Sequence, residues 1–240
     1  MKLTSIIIGL MTVVVTAGCG KVLHEPIKEP RGHYYLDPRT PFSQISRVAL
    51  LEMSNESSFP ELSDLLAQSL AAEISKKHLF ALSQINRSDP IWNTMNLDQI
   101  AANDYEGLAM IDQELNVDAI IFGTIKRYET YPRMMLGLHL KMVDVREGRL
   151  IWAIEQFWDS TDKQVELRMQ RFYSKELRTG YEPMNWQVVN TSPRAFNKFI
   201  AFEVAQTLPR LSAAAPTAEG KHRFVLDPDM INPLKYVKIN

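Results

Sequence analysis

The chain has 240 residues with 45% hydrophobic and 23% charged side chains, the proportions of an ordinary globular protein. A net charge of −1 leaves no bulk attraction to nucleic acid or anionic lipid, and a single cysteine excludes a disulfide framework. Once its first apolar stretch is set aside, no later stretch reaches membrane-spanning length without charges, and the remainder suffices for one sizeable domain or two small ones.

Met1-Lys2 opens a positive n-region, followed by an apolar run that ends in Thr16-Ala17-Gly18-Cys19. A charged start, an apolar centre of about a dozen residues and small residues at its end make a secretory signal, because a spanning helix needs about 20. The run resembles a bacterial lipoprotein signal, with Thr16 in place of the usual Leu. That resemblance implies that residues 1–18 are removed, that Cys19 is lipidated, and that Gly20, not being Asp, directs the product to the periplasmic face of the outer membrane. An acyl chain contributes about 0.8 kcal/mol per buried methylene, so several chains on one residue hold a domain at a membrane. An uncleaved helical anchor and plain secretion are the alternatives.

Residues 19–44 carry Pro26, Pro30, Pro38 and Pro41 among charges and read as a lipidated, Pro-rich tether. Residues 20–44 span at most about 85 Å when extended. The domain, 45–208, starts with a buried strand at Arg47-Val48-Ala49-Leu50-Leu51. Ser58 and Glu61 have capping-box spacing, and Leu62, Leu65, Leu66, Leu70 and Ile74 follow at helical intervals up to Lys76-Lys77. A second strand is expected in Leu79 to Ile85, then a loop from Asn86 to Met95. Asn96 and Gln99 look like a cap for a helix through Leu97, Ile100, Leu108, Ile111 and Leu115, with a break near Asn103-Asp104 and a stop at Asn116.

A buried strand centred on Ala119 to Gly123 begins a three-strand meander. Leu136, Leu138, Leu140 and Met142 alternate with His139 and Lys141, and Leu150, Trp152, Ile154 and Trp158 give the next strand an apolar even face too. Both apolar faces coincide if Arg146-Glu147-Gly148 is a three-residue loop with Gly148 left-handed, which sets Leu140 opposite Ile154 and His139 opposite Glu155. Val165, Met169, Phe172 and Leu177 mark one closing helix. Ser192-Pro193 opens another, burying Phe196, Phe199, Ile200, Val204 and Leu208. Residues 209–240 are a linker and extended tail. Its Phe224-Val225-Leu226-Asp227-Pro228 echoes Tyr34-Tyr35-Leu36-Asp37-Pro38, either by coincidence or as two arms that dock alike on a neighbouring subunit.

The element order predicts an α/β (α+β) fold: a single mixed sheet in strand-helix-strand-helix-meander-helix order with helices packed on it. It resembles the periplasmic domains of the TolB amino-terminal, CsgG and LpoB type. Arg47 to Leu51 looks like that fold's first strand, Val117 to Ile125 like its "GADYLLTGSV" strand, and Asp144 to Trp152 like its "D-A-x-T-G-x-x-L-W" hairpin. The resemblance implies a non-catalytic outer-membrane lipoprotein that supports a cell-envelope complex through protein contacts, with a homo-oligomer as one form. Activation of a peptidoglycan synthase is the first alternative; a periplasmic hydrolase or ligand-binding lipoprotein is the second.

The residues themselves hold no Gly-rich phosphate loop, no Gly-x-Ser-x-Gly elbow and no His-Glu-x-x-His pair. None of the five histidines lies within four residues of another, so helical metal-ligand spacing is missing and neither metal nor cofactor is expected. His139 with Glu155 reads as an exposed cross-strand ion pair before it reads as an acid/base pair. Trp152 and Trp158 fall on an apolar face and read as core. Tyr181, Met184 and Trp186 sit in a polar loop between two helices, where an exposed aromatic cluster would bind a partner. The alternative is that Trp186 folds back on its own domain.

Overall fold

The computed structural model describes residues 33–97, 108–177 and 185–209. Within them one mixed seven-stranded sheet runs β1-β7-β6-β5-β2-β4, with β3 beside β5. The strands are β1 (His33–Leu36), β2 (Arg47–Leu51), β3 (Ser54–Asn55), β4 (Ala81–Ile85), β5 (Ala119–Glu129), β6 (Met135–Asp144) and β7 (Leu150–Asp159). The helices are α1 (Leu62–Ser75), α2 (Pro90–Thr94), α3 (Leu108–Leu115), α4 (Lys163–Phe172), α5 (Gln187–Thr191) and α6 (Pro193–Gln206). β5, β6, β7 and β1 are antiparallel neighbours, whereas β5, β2 and β4 are parallel and joined by helical crossovers.

The two-residue alternation of the meander sets the layers. Leu136, Leu138, Leu140, Met142, Trp152, Ile154 and Trp158 share one face and pack, together with Val48, Leu50 and Ile121, against α1, α4 and α6. A smaller core on the other face joins Ala49, Leu51, Ile120, Phe122 and Val143 to Trp92, Leu97, Leu108 and Ile111. Gly123 has a packing reason: a Cβ there would run into the His139 carbonyl on β6. Leu140 faces Ile154 and His139 faces Glu155, as the alternation requires.

The turn between them differs from expectation. The ladder slips by one residue between Met142 and Val143, so Val143 faces Leu150 and Asp144 N donates to Arg149 O at 2.9 Å. Gly148 is left-handed at φ 64°, while the Asp144 carboxylate accepts from the amides of Arg146 and Glu147, 2.9 Å each. The bulge absorbs the additional loop residue and keeps both apolar faces together.

Other local readings need correction. His33–Leu36, assigned to the tether, is a strand on β7, with Tyr34 opposite Ile154 and Leu36 opposite Trp152. This arm therefore docks on its own sheet rather than on a neighbouring subunit. Behind it the Asp37 carboxylate, 2% exposed, accepts from Arg39 N, Arg39 Nε and Thr40 Oγ1. Burial works to raise its pKa, but those hydrogen bonds and the Arg39 charge leave it below the usual range.

The Ser58–Glu61 capping box does not form; α1 starts after Glu61 without a side-chain cap, and Asn55 organises the loop by accepting from Ser57 N and Oγ. Leu65, placed in the buried stripe, is 49% exposed. Asn96 has φ 50° and so cannot be an N-cap, which needs an extended backbone. Short helices stand in both expected loops, and α4 continues as a π-helix over Tyr173–Leu177. Gln99, Ile100 and the break near Asn103-Asp104 lie outside the described residues, as do the signal, Cys19 and the tail echo.

α6 opens as its sequence indicates, Ser192 Oγ accepting from Ala195 N across Pro193. Its buried stripe contains a carboxylate that periodicity does not reveal. Glu203 Oε2 accepts from Arg168 Nε at 2.8 Å and from Trp158 Nε1 at 3.2 Å, tying α6 to α4 and β7. Burial pushes the Glu203 carboxyl up, opposed by the Arg168 charge and both hydrogen bonds. Arg168→Leu strands a buried carboxylate and is expected to cost about 3–5 kcal/mol in urea unfolding. A second substitution, Glu203→Leu, should restore part of that loss, because an apolar pair leaves no uncompensated charge.

Candidate functional site

Of the residues marked for partner contact, Tyr181 and Met184 lie outside the described residues. Trp186 directly precedes α5, is half-buried and packs against the larger core beside Val188. Its carbonyl accepts from the amide of Val189, a fully buried residue, so a short helical turn sets the backbone at Trp186. Trp152 and Trp158 are core residues, as expected, with their indole N–H groups donating to Thr207 Oγ1 at 3.0 Å and to Glu203.

The parallel strands create a feature that sequence reading missed. β2 lies between β4 and β5; the crossover to β4 uses α1 on one face, while the route from β4 to β5 passes α2 and α3 on the other. Loops diverge where such crossovers part, leaving a crevice at the carboxyl ends of the strands. Here it is a cleft of about 650 Å³ lined by Glu52, Ser54, Ser57, Ser58, Ser63 and Arg87, among others. The run Glu-Met-Ser-Asn-Glu-Ser-Ser directly after the first parallel strand is the signal that could have located it.

The cleft's charges are committed to one another. Glu52 accepts from Ser63 Oγ at 3.0 Å and from Arg87 N at 2.9 Å, and Arg87 Nε stands 3.9 Å from the same carboxylate. The Arg87 guanidinium lies 4.8 Å from the centre of the Trp92 ring. Together these contacts pin the β2–α1 loop to the end of β4. Among the described residues Glu52 is the single acid in the lining, and no histidine or cysteine reaches it.

Over β6 and β7 the second face of the sheet is not covered by α2 or α3. Gly137, His139 and Lys141 of β6 line up there with Phe157, Glu155 and Ala153 of β7. Phe157, 45% exposed, lies over Gly137, where a Cβ would come within 3.2 Å of its ring. Tyr131, in the β5–β6 turn, is 88% exposed. The expected exposed ion pair of His139 with Glu155 is not made: the imidazole is half-buried and its Nε2 has no hydrogen-bond partner. Burial first, then the charges of Lys141 and Lys126, pull its pKa down to about 4.

The depressed His139 pKa has a definite sign. Between pH 6.5 and 4 the unfolded chain binds a proton that the fold excludes, so stability is full above 6.5 and falls as pH drops through that window. The loss is expected to be about 2 kcal/mol, allowing for the ring's partial exposure. Urea unfolding at pH 7 and pH 4 should show His139→Gln losing correspondingly less than the unsubstituted chain.

No protein-family model matches the chain, and no curated protein matches it. Among solved structures, a PelC dodecamer from Paraburkholderia phytofirmans is similar at 12% identity and TM-score 0.39, over 57% of this chain and 86% of that one. Lipoprotein GNA1162 from Neisseria meningitidis is similar at 13% and 0.40, over 58% and 99%. The LpoB C-terminal domain from Salmonella enterica is similar at 12% and 0.36, over 51% and 87%. Likeness at this level decides no activity and no partner.

Proposed function

We propose that this chain is a lipid-anchored envelope protein, fixed through Cys19 to the periplasmic face of the outer membrane, that acts by protein contacts rather than by catalysis. The anchor rests on the signal-like segment ending at Cys19. The non-catalytic reading is carried by one structural observation: the cleft at the strand ends, where such sheets place chemistry, uses its lone carboxylate and its arginine to hold a loop. Support of the assembly or stability of an envelope complex is the leading form, and activation of a peptidoglycan synthase is its alternative.

The contact assigned to a partner is the segment holding Tyr181 and Met184, with Trp186 at its end. A half-buried tryptophan fixed by its own domain makes a rigid anchor, with little side-chain entropy left to lose on binding. The second reading, a ligand-binding lipoprotein, is favoured by the cleft's volume and by its lining of four serines.

Cys19→Ser is expected to move the protein from the membrane fraction to the soluble fraction; retention in the membrane would reject the lipid anchor. Cross-linking in intact cells, followed by mass spectrometry, should recover a defined envelope protein. Tyr181→Ala combined with Met184→Ala should lose that protein while the circular dichroism melt stays within a few degrees of the unsubstituted chain. Unchanged recovery would reject the loop as the contact.

A further inference from the structure

Among the described residues the sheet ends at β1. Asp37 N donates to Ile151 O on β7 at 2.8 Å, and successive amides of a strand point to opposite sides. Tyr35 N–H therefore also faces β7, which turns the N–H and C=O groups of Tyr34 and Leu36 outward. On the helix side, Tyr34 and Leu36 pack against the core yet remain only half-buried. Such an edge, with open backbone pairs and no Lys or Pro within the strand, is a template for another strand.

The chain carries a matching segment. Residues 223–228 read Arg-Phe-Val-Leu-Asp-Pro, the β1 pattern of aromatic, spacer, leucine, aspartate and proline. α6 also delivers the chain to the right place. Trp152, the β7 partner of Leu36, donates to Thr207 just beyond α6, and Leu208 is still in the core. The domain is thus left beside the Leu36 end of β1. Residues 210–222 can then span about 45 Å when extended, many times the spacing of about 5 Å between strands.

We propose that residues 224–227 add to the outer edge of β1 in the same chain, as an antiparallel eighth strand. Starting from the Leu36 end, Phe224 stands opposite Leu36, Val225 opposite Tyr35, Leu226 opposite Tyr34 and Asp227 opposite His33. Phe224 and Leu226 then cover the half-buried Leu36 and Tyr34 on the helix side. Asp227 meets His33, whose other neighbour is Glu155. A slip of one residue would turn Phe224 and Leu226 to the opposite face, so the apolar pattern selects this register. Pro228 ends the added strand as Pro38 follows β1.

The register predicts a cross-link. Tyr35 and Val225 form a non-hydrogen-bonded pair with Cα atoms about 4.5 Å apart, within disulfide range. The full chain carrying Cys19→Ser, Tyr35→Cys and Val225→Cys is expected to form an intramolecular disulfide under mild oxidation. The rate should be about tenfold or more above that of a Cys19→Ser, Ser83→Cys, Val225→Cys control, which tests the β4 edge. Disulfides between chains would overturn the proposal by making a second copy the occupant, and equal rates at the two edges would overturn it outright. Hydrogen exchange provides a test that adds no cysteine. Phe224→Asp with Leu226→Asp in the full chain should speed exchange of the Tyr34 and Leu36 amides about tenfold, and unchanged exchange would overturn the assignment.

Discussion

The apolar row shared by β6 and β7 is the constraint on which the structure depends. Leu136, Leu138, Leu140 and Met142 meet Trp158, Ile154 and Trp152 on one face, fixed there by a pairing with period two. Every large element on that side is placed by the row. α6 lies across it, α1 packs beside α6, and α4 is held by Phe172 against Phe199 and Phe202, at centroid distances of 5.7 and 5.1 Å. The two indole N–H groups of the row would be costly if unmet, and each is aimed at α6 or the residue just beyond it. Polar demands of the sheet thus fix the register of the helix layer.

The same pairing leaves the other face unequal. α2 and α3 cover it over β2 and β5, where Ala49, Leu51, Ile120 and Phe122 supply an apolar surface. Over β6 and β7 the residues of that face are Gly137, His139, Lys141, Glu155 and Phe157, a polar and aromatic strip without a helix of its own among the described residues. Half-burial of a histidine between lysine charges is a consequence of this geometry, since the side chains stand together on a pleated surface that excludes much of the water. At the carboxyl ends of the parallel strands the polar groups are instead used locally, joining the β2–α1 loop to Arg87.

The functional reading draws on two levels that the fold keeps apart. The proposed anchor depends on a short signal-like sequence that would be read without tertiary context. The proposed contact surface depends instead on exposure. Trp186 shows the difference: its loop was legible as polar and aromatic, but its half-burial against the larger core was not. Neither the Glu203–Arg168 pair nor the Glu52–Arg87 pair was legible, because each joins residues about 35 apart in sequence that only the sheet and its helices bring together.

Sequence alone determined the elements whose signal is local. Alternation set the meander and its pairing of Leu140 with Ile154; Ser192-Pro193 opened α6; Gly148 occupied the left-handed turn position. Periodicity and turn chemistry act over a few residues, so these survive any tertiary arrangement. The tertiary structure decided what depends on a distant partner. His33–Leu36 has the composition of a tether and becomes a strand only because β7 offers it an edge with Ile154 and Trp152 behind it. Ser58 had cap spacing, yet Asn55, held against β5 through the β3 pairing, organised the loop instead. His139 alternated as an exposed residue and was half-buried by its neighbours across two strands, for exposure is a property of the packed surface and not of the period that generates it.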